Sequence, residues 1–107
     1  SIYGGAGFVT IASNSQAGNT TQITLAATDV NPTGTYNGMC IYILSGLGAG
    51  QYGVISAYDA STKIATIVKE SDGSSGWEHI KGSAIASVLD ATTAYDITPR
   101  VIFKSHY

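Results

Sequence analysis

The chain has 107 residues, enough for one domain with a modest core and too few for two. Only 11% of its residues are charged and its formal net charge is −2, so it lacks the clustered Lys and Arg that non-specific nucleic-acid binders use to neutralise phosphates. We find neither a signal peptide nor an apolar run of membrane-spanning length, and we expect neither nucleic acid nor membrane among its partners. Because the chain begins with Ser1, we expect a processed product or a piece of a longer polypeptide.

The sequence divides into a short glycine-rich segment and one longer domain. Residues 1–7 are rich in glycine and are predicted to form an arm or entry linker. Residues 8–107 are predicted to form a single β-domain, because turn signals recur at about ten-residue spacing and no convincing helical period is present.

The first part of the domain alternates between strand and turn signals. Residues 8–12 and 20–26 show the period of two that is typical of half-buried strands. Residues 14–19 are predicted to be a polar turn between them. Residues 29–38 contain Pro and Gly at turn spacing and are predicted to be loop.

The stretch over residues 41–58 predicts strand, glycine-rich turn and strand. Gly46, Gly48 and Gly50 stand at every second position between two runs of β-branched and aromatic residues, so we expect several positive φ angles in the turn. A further strand over residues 63–69 would complete a three-stranded meander.

Strict alternation in the second strand of this meander would separate its side chains into two sets. Val54, Ser56 and Tyr58 would share one face, and Ile55 and Ala57 the other.

The last third of the chain is less regular. Trp77 follows a turn in residues 70–82 and is predicted to fold back and cap one end of the core. Residues 84–89 fit a strand or extended connection better than the short helix that their propensities would also permit. Residues 95–98 alternate as a strand, and Pro99 makes it an edge strand or a kink. The whole pattern predicts an all-β fold, a small antiparallel β-sandwich or barrel of six to seven strands with a central Gly-rich meander.

Sites for nucleotides and metals find little support in the sequence. The glycine-rich turn is followed by a strand instead of a helix, and no Lys-Ser or Lys-Thr pair accompanies it, so a phosphate loop is disfavoured. His79, His106 and Cys40 do not recur at zinc-ligand spacing, and Cys40 is predicted to be a buried, inert thiol. Glu70 and Asp72 beside two serines could hold calcium, but the EF-hand order of ligands is missing. We expect no cofactor and no metal.

An enzymatic role is also disfavoured. A polysaccharide-degrading enzyme needs two carboxylates that face each other across a cleft, and a serine hydrolase needs a nucleophile motif such as G-x-S-x-G. The motif is absent, and the acidic side chains considered as a pair lie mostly in turns without any pairing in sequence: Asp59, Asp72, Glu78, Asp90 and Asp96.

Aromatic residues are the best candidates for binding. The chain has seven tyrosines, and exposed tyrosine favours protein interfaces and sugar stacking. We identify Tyr36, Tyr52 and Trp77 as candidate partner- or glycan-contacting residues, with polar groups of the loop at residues 72–75. The alternative is that each tyrosine lies half-buried at a sheet edge with a solvated hydroxyl.

An ordered run of motifs spans residues 36–103. It consists of Tyr36-Asn37-Gly38, Ile41-Tyr42-Ile43, SGLGAGQY at residues 45–52, ISAY at 55–58, TKIATI at 62–67, Gly76-Trp77-Glu78, LDATTAYDI at 89–97 and Pro99-Arg100-Val101. In these motifs the segment resembles a domain of virion structural proteins from tailed bacteriophages, especially those that infect marine cyanobacteria. Members often carry this unit several times in very long chains, and this chain holds one copy.

The resemblance implies a non-enzymatic structural domain of a phage virion, in a tail fibre or related appendage, and it implies no catalytic residues. The expected partners are copies of the same chain or neighbouring virion proteins, and the expected location is the virus particle. The alternative hypothesis is a receptor- or glycan-binding module of the same appendage, whose partner would be a glycan of the host surface.

Overall fold

A computed structural model describes residues 11–99 of the chain. The arm expected over residues 1–7, the start of the strand expected over residues 8–12, and His106 lie outside the described residues. The described part contains no helix and nine strands: β1 Ile11–Asn14, β2 Ala17–Asn19, β3 Gln22–Thr24, β4 Cys40–Ser45, β5 Gln51–Asp59, β6 Ile64–Val68, β7 Glu78–His79, β8 Val88–Leu89 and β9 Ala94–Thr98.

All nine strands belong to one antiparallel sheet, which confirms the predicted all-β class. The order across the sheet is β1-β9-β4-β5-β6-β3-β2-β8. β7 is outside this linear order and pairs with β5. The strand count exceeds the predicted six to seven because β2, β7 and β8 have only two or three residues each. Such short strands are too brief to show an alternating pattern in the sequence.

The sheet curves around a single core. Ile23 of β3, Ile41 of β4, Ile55 of β5, Ile67 of β6 and Ile97 of β9 are all fully buried within one contiguous cluster. A flat sheet would leave these side chains exposed on one face, so the sheet must wrap far enough for its strands to cover one another.

The glycine-rich turn joins two neighbouring strands of this sheet. β4, β5 and β6 are consecutive antiparallel neighbours. Gly46, Gly48 and Gly50 have φ angles of 79°, 87° and 96°, which confirms the expected positive values. The turn lies close to the loop before β9, because a Cβ atom added at Gly46 would stand 1.8 Å from the carbonyl oxygen of Thr92.

The strict alternation predicted for β5 is wrong. The pairing of β5 with β6 shifts between Ile55 and Ala57, where a β-bulge places an extra residue in β5. Ile55 and Tyr58 are therefore both buried, whereas Ser56 and Ala57 are both exposed. A single-sequence pattern of period two cannot anticipate such a shift in register.

Two further expectations are corrected by the fold. The segment over residues 14–19, predicted to be a polar turn, contains β2, which pairs with β3 and β8. Cys40 is half-buried instead of fully buried, because it lies on the outward face of β4 opposite Val54 and Thr98.

Candidate binding groove

A row of side chains crosses the outward face of four neighbouring strands. In the sheet register, Asp96 of β9 is opposite Tyr42 of β4, Tyr42 is opposite Tyr52 of β5, and Tyr52 is opposite Glu78 of β7. Residues directly opposite on antiparallel strands point to the same face of the sheet. The row therefore brings two aromatic rings together between two carboxylates.

Tyr42 and Tyr52 form a stacked pair in the middle of this row. Their ring centroids are 6.2 Å apart and their planes differ by 28°. Tyr42 is 41% exposed and Tyr52 is half-buried. Burial, followed by the neighbouring Cys40, raises the pKa of Tyr42. Like any tyrosine hydroxyl at neutral pH, that of Tyr42 can donate a hydrogen bond.

A groove of about 350 Å³ begins beside Tyr52. Its lining combines the aromatic rings of the core edge with charged and hydroxyl groups: Tyr52, Lys69, Ser71, Asp72, Trp77, Glu78, His79 and Ile85. Of the candidates taken from the sequence, Tyr52, Trp77 and the Asp72 loop meet here. Lys69 and His79, which also line the groove, were not assigned to it from the sequence, and neither was Tyr42, which stacks on Tyr52 outside the lining. The hairpin pairing of residues 42 and 52 was the one signal that could have placed Tyr42 beside it.

Two carboxylates of the groove are fixed in position by turn hydrogen bonds. Asp72 Oδ1 accepts hydrogen bonds from the backbone N–H of Ser74 at 2.9 Å and from its hydroxyl at 2.7 Å. These bonds hold the pKa of Asp72 below its usual value. Glu78 Oε1 accepts from the backbone N–H groups of Glu70 at 2.8 Å and Ser71 at 3.3 Å. Both side chains are thus held as acceptors at the wall of the groove.

Trp77 is not the exposed contact residue that the binding hypothesis required. Its side chain is 1% exposed, and its indole Nε1–H donates to the backbone oxygen of Asn19 at 2.9 Å. The indole closes the core beneath the groove, in agreement with the predicted capping role. It supports the floor of the groove instead of offering a free surface.

Tyr36 lies away from the groove and is also buried, with 1% of its side chain exposed. Its hydroxyl donates to Asp29 Oδ2 at 2.5 Å and accepts from Asn31 Nδ2 at 2.7 Å. Its ring meets that of Tyr58 edge to face at 4.9 Å, and the Tyr58 hydroxyl donates to Asp29 Oδ1 at 3.0 Å. Tyr36 is therefore part of a buried polar cluster and offers no free surface for the contact role predicted from the sequence.

The remaining candidate chemistry is dispersed. Within residues 11–99, no group of three or more His, Cys, Asp or Glu side chains could hold a metal ion. His79 is exposed at the groove, with its Nδ1 3.4 Å from the hydroxyl oxygen of Ser83. Five acidic residues were considered as candidates for a catalytic pair, and two of them, Asp72 and Glu78, line the groove.

No helix in the described part of the chain is long and apolar enough to cross a membrane.

No protein-family model, curated protein or solved structure matches this chain.

Proposed function

We propose that this chain is a non-enzymatic structural domain of a phage virion, part of a tail fibre or related appendage, that works by packing against copies of itself or neighbouring subunits. The ordered motifs of residues 36–103 support the virion assignment. The observation that carries the packing role is a set of exposed apolar side chains at one end of the sheet.

These side chains form what we call the apolar end. Five of the seven large hydrophobic residues that are exposed within residues 11–99 come from two segments, the end of β4 with the β4–β5 connection and the stretch around residues 80–88: Leu44 (59%), Leu47 (39%), Ile80 (59%), Ile85 (39%) and Val88 (57%). The two segments contact each other, because Ile80 N–H donates to the Gly50 carbonyl and Ala86 N–H donates to Gln51 Oε1.

The apolar end fits a neighbouring subunit as its occupant. Apolar side chains clustered at one place on a surface mark sites where another molecule excludes water. In the described part of the sheet, β1 and β8 each have one neighbouring strand, so both ends of the strand order present an unpaired edge. A net charge of −2 produces little repulsion between copies.

Replacing an apolar side chain at this end with a charge tests the proposal. Leu44→Glu and Val88→Glu should each shift the natural chain from an oligomer towards a monomer in mass photometry and sedimentation velocity. Both side chains are more than half exposed, so the folded monomer should tolerate glutamate. A natural chain that stays monomeric at every concentration would contradict the proposed packing role.

Val30→Glu is the matched control. Val30 is 88% exposed, more than any residue of the apolar end. It lies in the loop that contacts the far end of β5, where Ala60 N–H donates to the Thr33 hydroxyl. The nine residues of β5 separate the two ends by about 25 Å, so this glutamate should leave the association unchanged.

The alternative, a receptor- or glycan-binding module, loses Tyr36 and Trp77 as surface residues because both are buried. Tyr52 keeps its place beside the groove.

A further inference from the structure

We propose that the groove beside Tyr52 binds a saccharide, with Tyr52, backed by its stacked neighbour Tyr42, as the aromatic contact and Asp72 and Glu78 as hydroxyl acceptors. This inference does not depend on the packing role proposed above: the groove lining shares Ile85 with the apolar end, but it contains neither Leu44 nor Val88, the residues that test the packing role.

The aromatic pair suits the apolar face of a pyranose ring. A sugar ring presents C–H groups on its faces and hydroxyls at its rim, and the electron-rich face of an aromatic ring attracts the C–H side. Tyr42 and Tyr52 lie on the outward face of the sheet with centroids 6.2 Å apart and planes 28° from parallel. Tyr52 lines the groove, and Tyr42 packs against Tyr52 from outside the lining.

The polar lining suits the rim of the sugar. Carboxylates accept hydrogen bonds from two hydroxyls at once, and bonds to charged groups are stronger than neutral ones. Asp72 and Glu78 are held in place by bonds to Ser74, Glu70 and Ser71 before any ligand arrives, so little side-chain entropy is lost on binding. Lys69 and His79, on the same groove, supply donors for ring and glycosidic oxygens.

Other ligand classes fit this lining less well. A phosphate group would meet two carboxylates against the single lysine of the lining. An apolar ligand would leave the charged and hydroxyl groups of the lining without hydrogen bonds. The groove volume of about 350 Å³ lies at the lower end of the range for small-molecule sites. It fits one or two sugar units better than it fits the surface of a protein partner.

The experiment begins with the natural chain, biotinylated and displayed on streptavidin, on an array of neutral and acidic oligosaccharides. The strongest oligosaccharide is then titrated by calorimetry and by amide NMR shifts. Binding should shift the amide resonances of Tyr42, Tyr52 and Glu78. Tyr52→Val should raise the dissociation constant by about tenfold or more. Streptavidin without the chain gives the background of the array.

Two aspartates make a matched pair that separates binding from folding. Asp59 and Asp72 each accept from the N–H and hydroxyl of a serine two residues later, with identical distances of 2.9 Å and 2.7 Å. Only Asp72 lines the groove. Asp72→Asn should weaken binding several-fold, because a charged acceptor becomes a neutral one, whereas Asp59→Asn should bind as the natural chain does.

The proposal is overturned if no oligosaccharide exceeds the background, if Tyr52→Val binds as tightly as the natural chain, or if both asparagine variants weaken binding equally. Val88→Glu keeps the two proposals apart. It should retain sugar binding while losing self-association, so either proposal can fail while the other stands.

Discussion

At the scale of single residues, Asp29 is the centre of a buried polar cluster. Its carboxylate is 8% exposed and accepts from the hydroxyls of Tyr36 and Tyr58 and from the N–H of Asn31. Its backbone oxygen accepts from Lys63 Nζ at 2.5 Å. The cluster thus joins the loop after β3 to β5 and to the turn before β6, and it locks that loop against the core.

We expect Asp29→Ala to be among the more destabilising substitutions in this chain. It leaves two buried phenol hydroxyls without their acceptor, at a cost of about 3 kcal/mol of unfolding free energy. Tyr58→Phe removes one hydrogen bond and leaves Asp29 Oδ1 with the Asn31 N–H, so it should cost about 1 kcal/mol. Urea unfolding measures both. Equal effects of the two substitutions would show that the carboxylate does not hold the cluster together.

The same cluster predicts a loss of stability in alkali. Burial, followed by the hydrogen bond to Asp29, raises the pKa of Tyr36 from 10.0 to about 12. Between these two pH values the unfolded chain has released the Tyr36 proton and the folded chain has kept it. This contribution to folding is therefore complete below about pH 10 and is lost as the pH rises towards 12.

Unfolding in urea at stepped pH, with tyrosinate absorbance as a second signal, checks this expectation. Tyr36→Phe should show a shallower fall in stability across the same pH range, because it has one fewer group to deprotonate on unfolding. Stability that is flat over this range in the natural chain would contradict the raised pKa.

At the scale of elements, strands with strict alternation were predictable and irregular ones were not. Ile23 in β3, Ile67 in β6 and Ile97 in β9 are buried between half-buried neighbours, as the period of two predicts. The bulge in β5 and the short strands β7 and β8 depend on contacts between distant segments. The turn aspartates are a local signal instead: Asp59, Asp72 and Asp90 each bond the N–H and hydroxyl of a Ser or Thr two residues later.

The glycine-rich turn supplies the test at this scale. Gly46 and Gly73 have nearly the same φ, 79° and 77°, but only Gly46 lies against another segment. A Cβ at Gly46 would overlap the Thr92 carbonyl, whereas a Cβ at Gly73 would meet nothing within 4 Å. Gly73→Ala should therefore cost about 1 kcal/mol for its backbone conformation alone.

Gly46→Ala should cost at least about 3 kcal/mol, because the β4–β5 turn and the loop before β9 must move apart. Thermal and urea unfolding of the two variants give the difference directly. If the two substitutions lower the free energy of unfolding equally, the close approach of the turn to Thr92 contributes nothing to stability. The positive φ would then be the whole reason for glycine at position 46.

At the scale of the whole molecule, one sheet encloses one core, and the candidate site follows from that closure. The sequence supplied Tyr52 and the loop at residues 72–75 as candidates. It left Trp77 with two roles, as a cap of the core and as a contact residue, and it did not show that Tyr36 is buried. Burial depends on where the strands of the curved sheet meet, which local pattern does not encode. The outward row from Asp96 to Glu78 exists only because β9, β4, β5 and β7 are neighbours.

A single core implies a single cooperative unfolding transition, and Trp77 can report it. Trp77 is the only tryptophan and is 1% exposed, so its emission should be blue-shifted and poorly quenched by acrylamide in the folded chain. Its Nε1–H bond to Asn19 ties the irregular segment after β6 to the end of β2. The tryptophan signal should therefore change together with far-ultraviolet circular dichroism, at one denaturant midpoint and with one slope. If Trp77 became accessible to acrylamide before the sheet signal was lost, the segment over residues 70–82 would be a separate unit docked on the sheet, and the groove beside Tyr52 would open before the core unfolds.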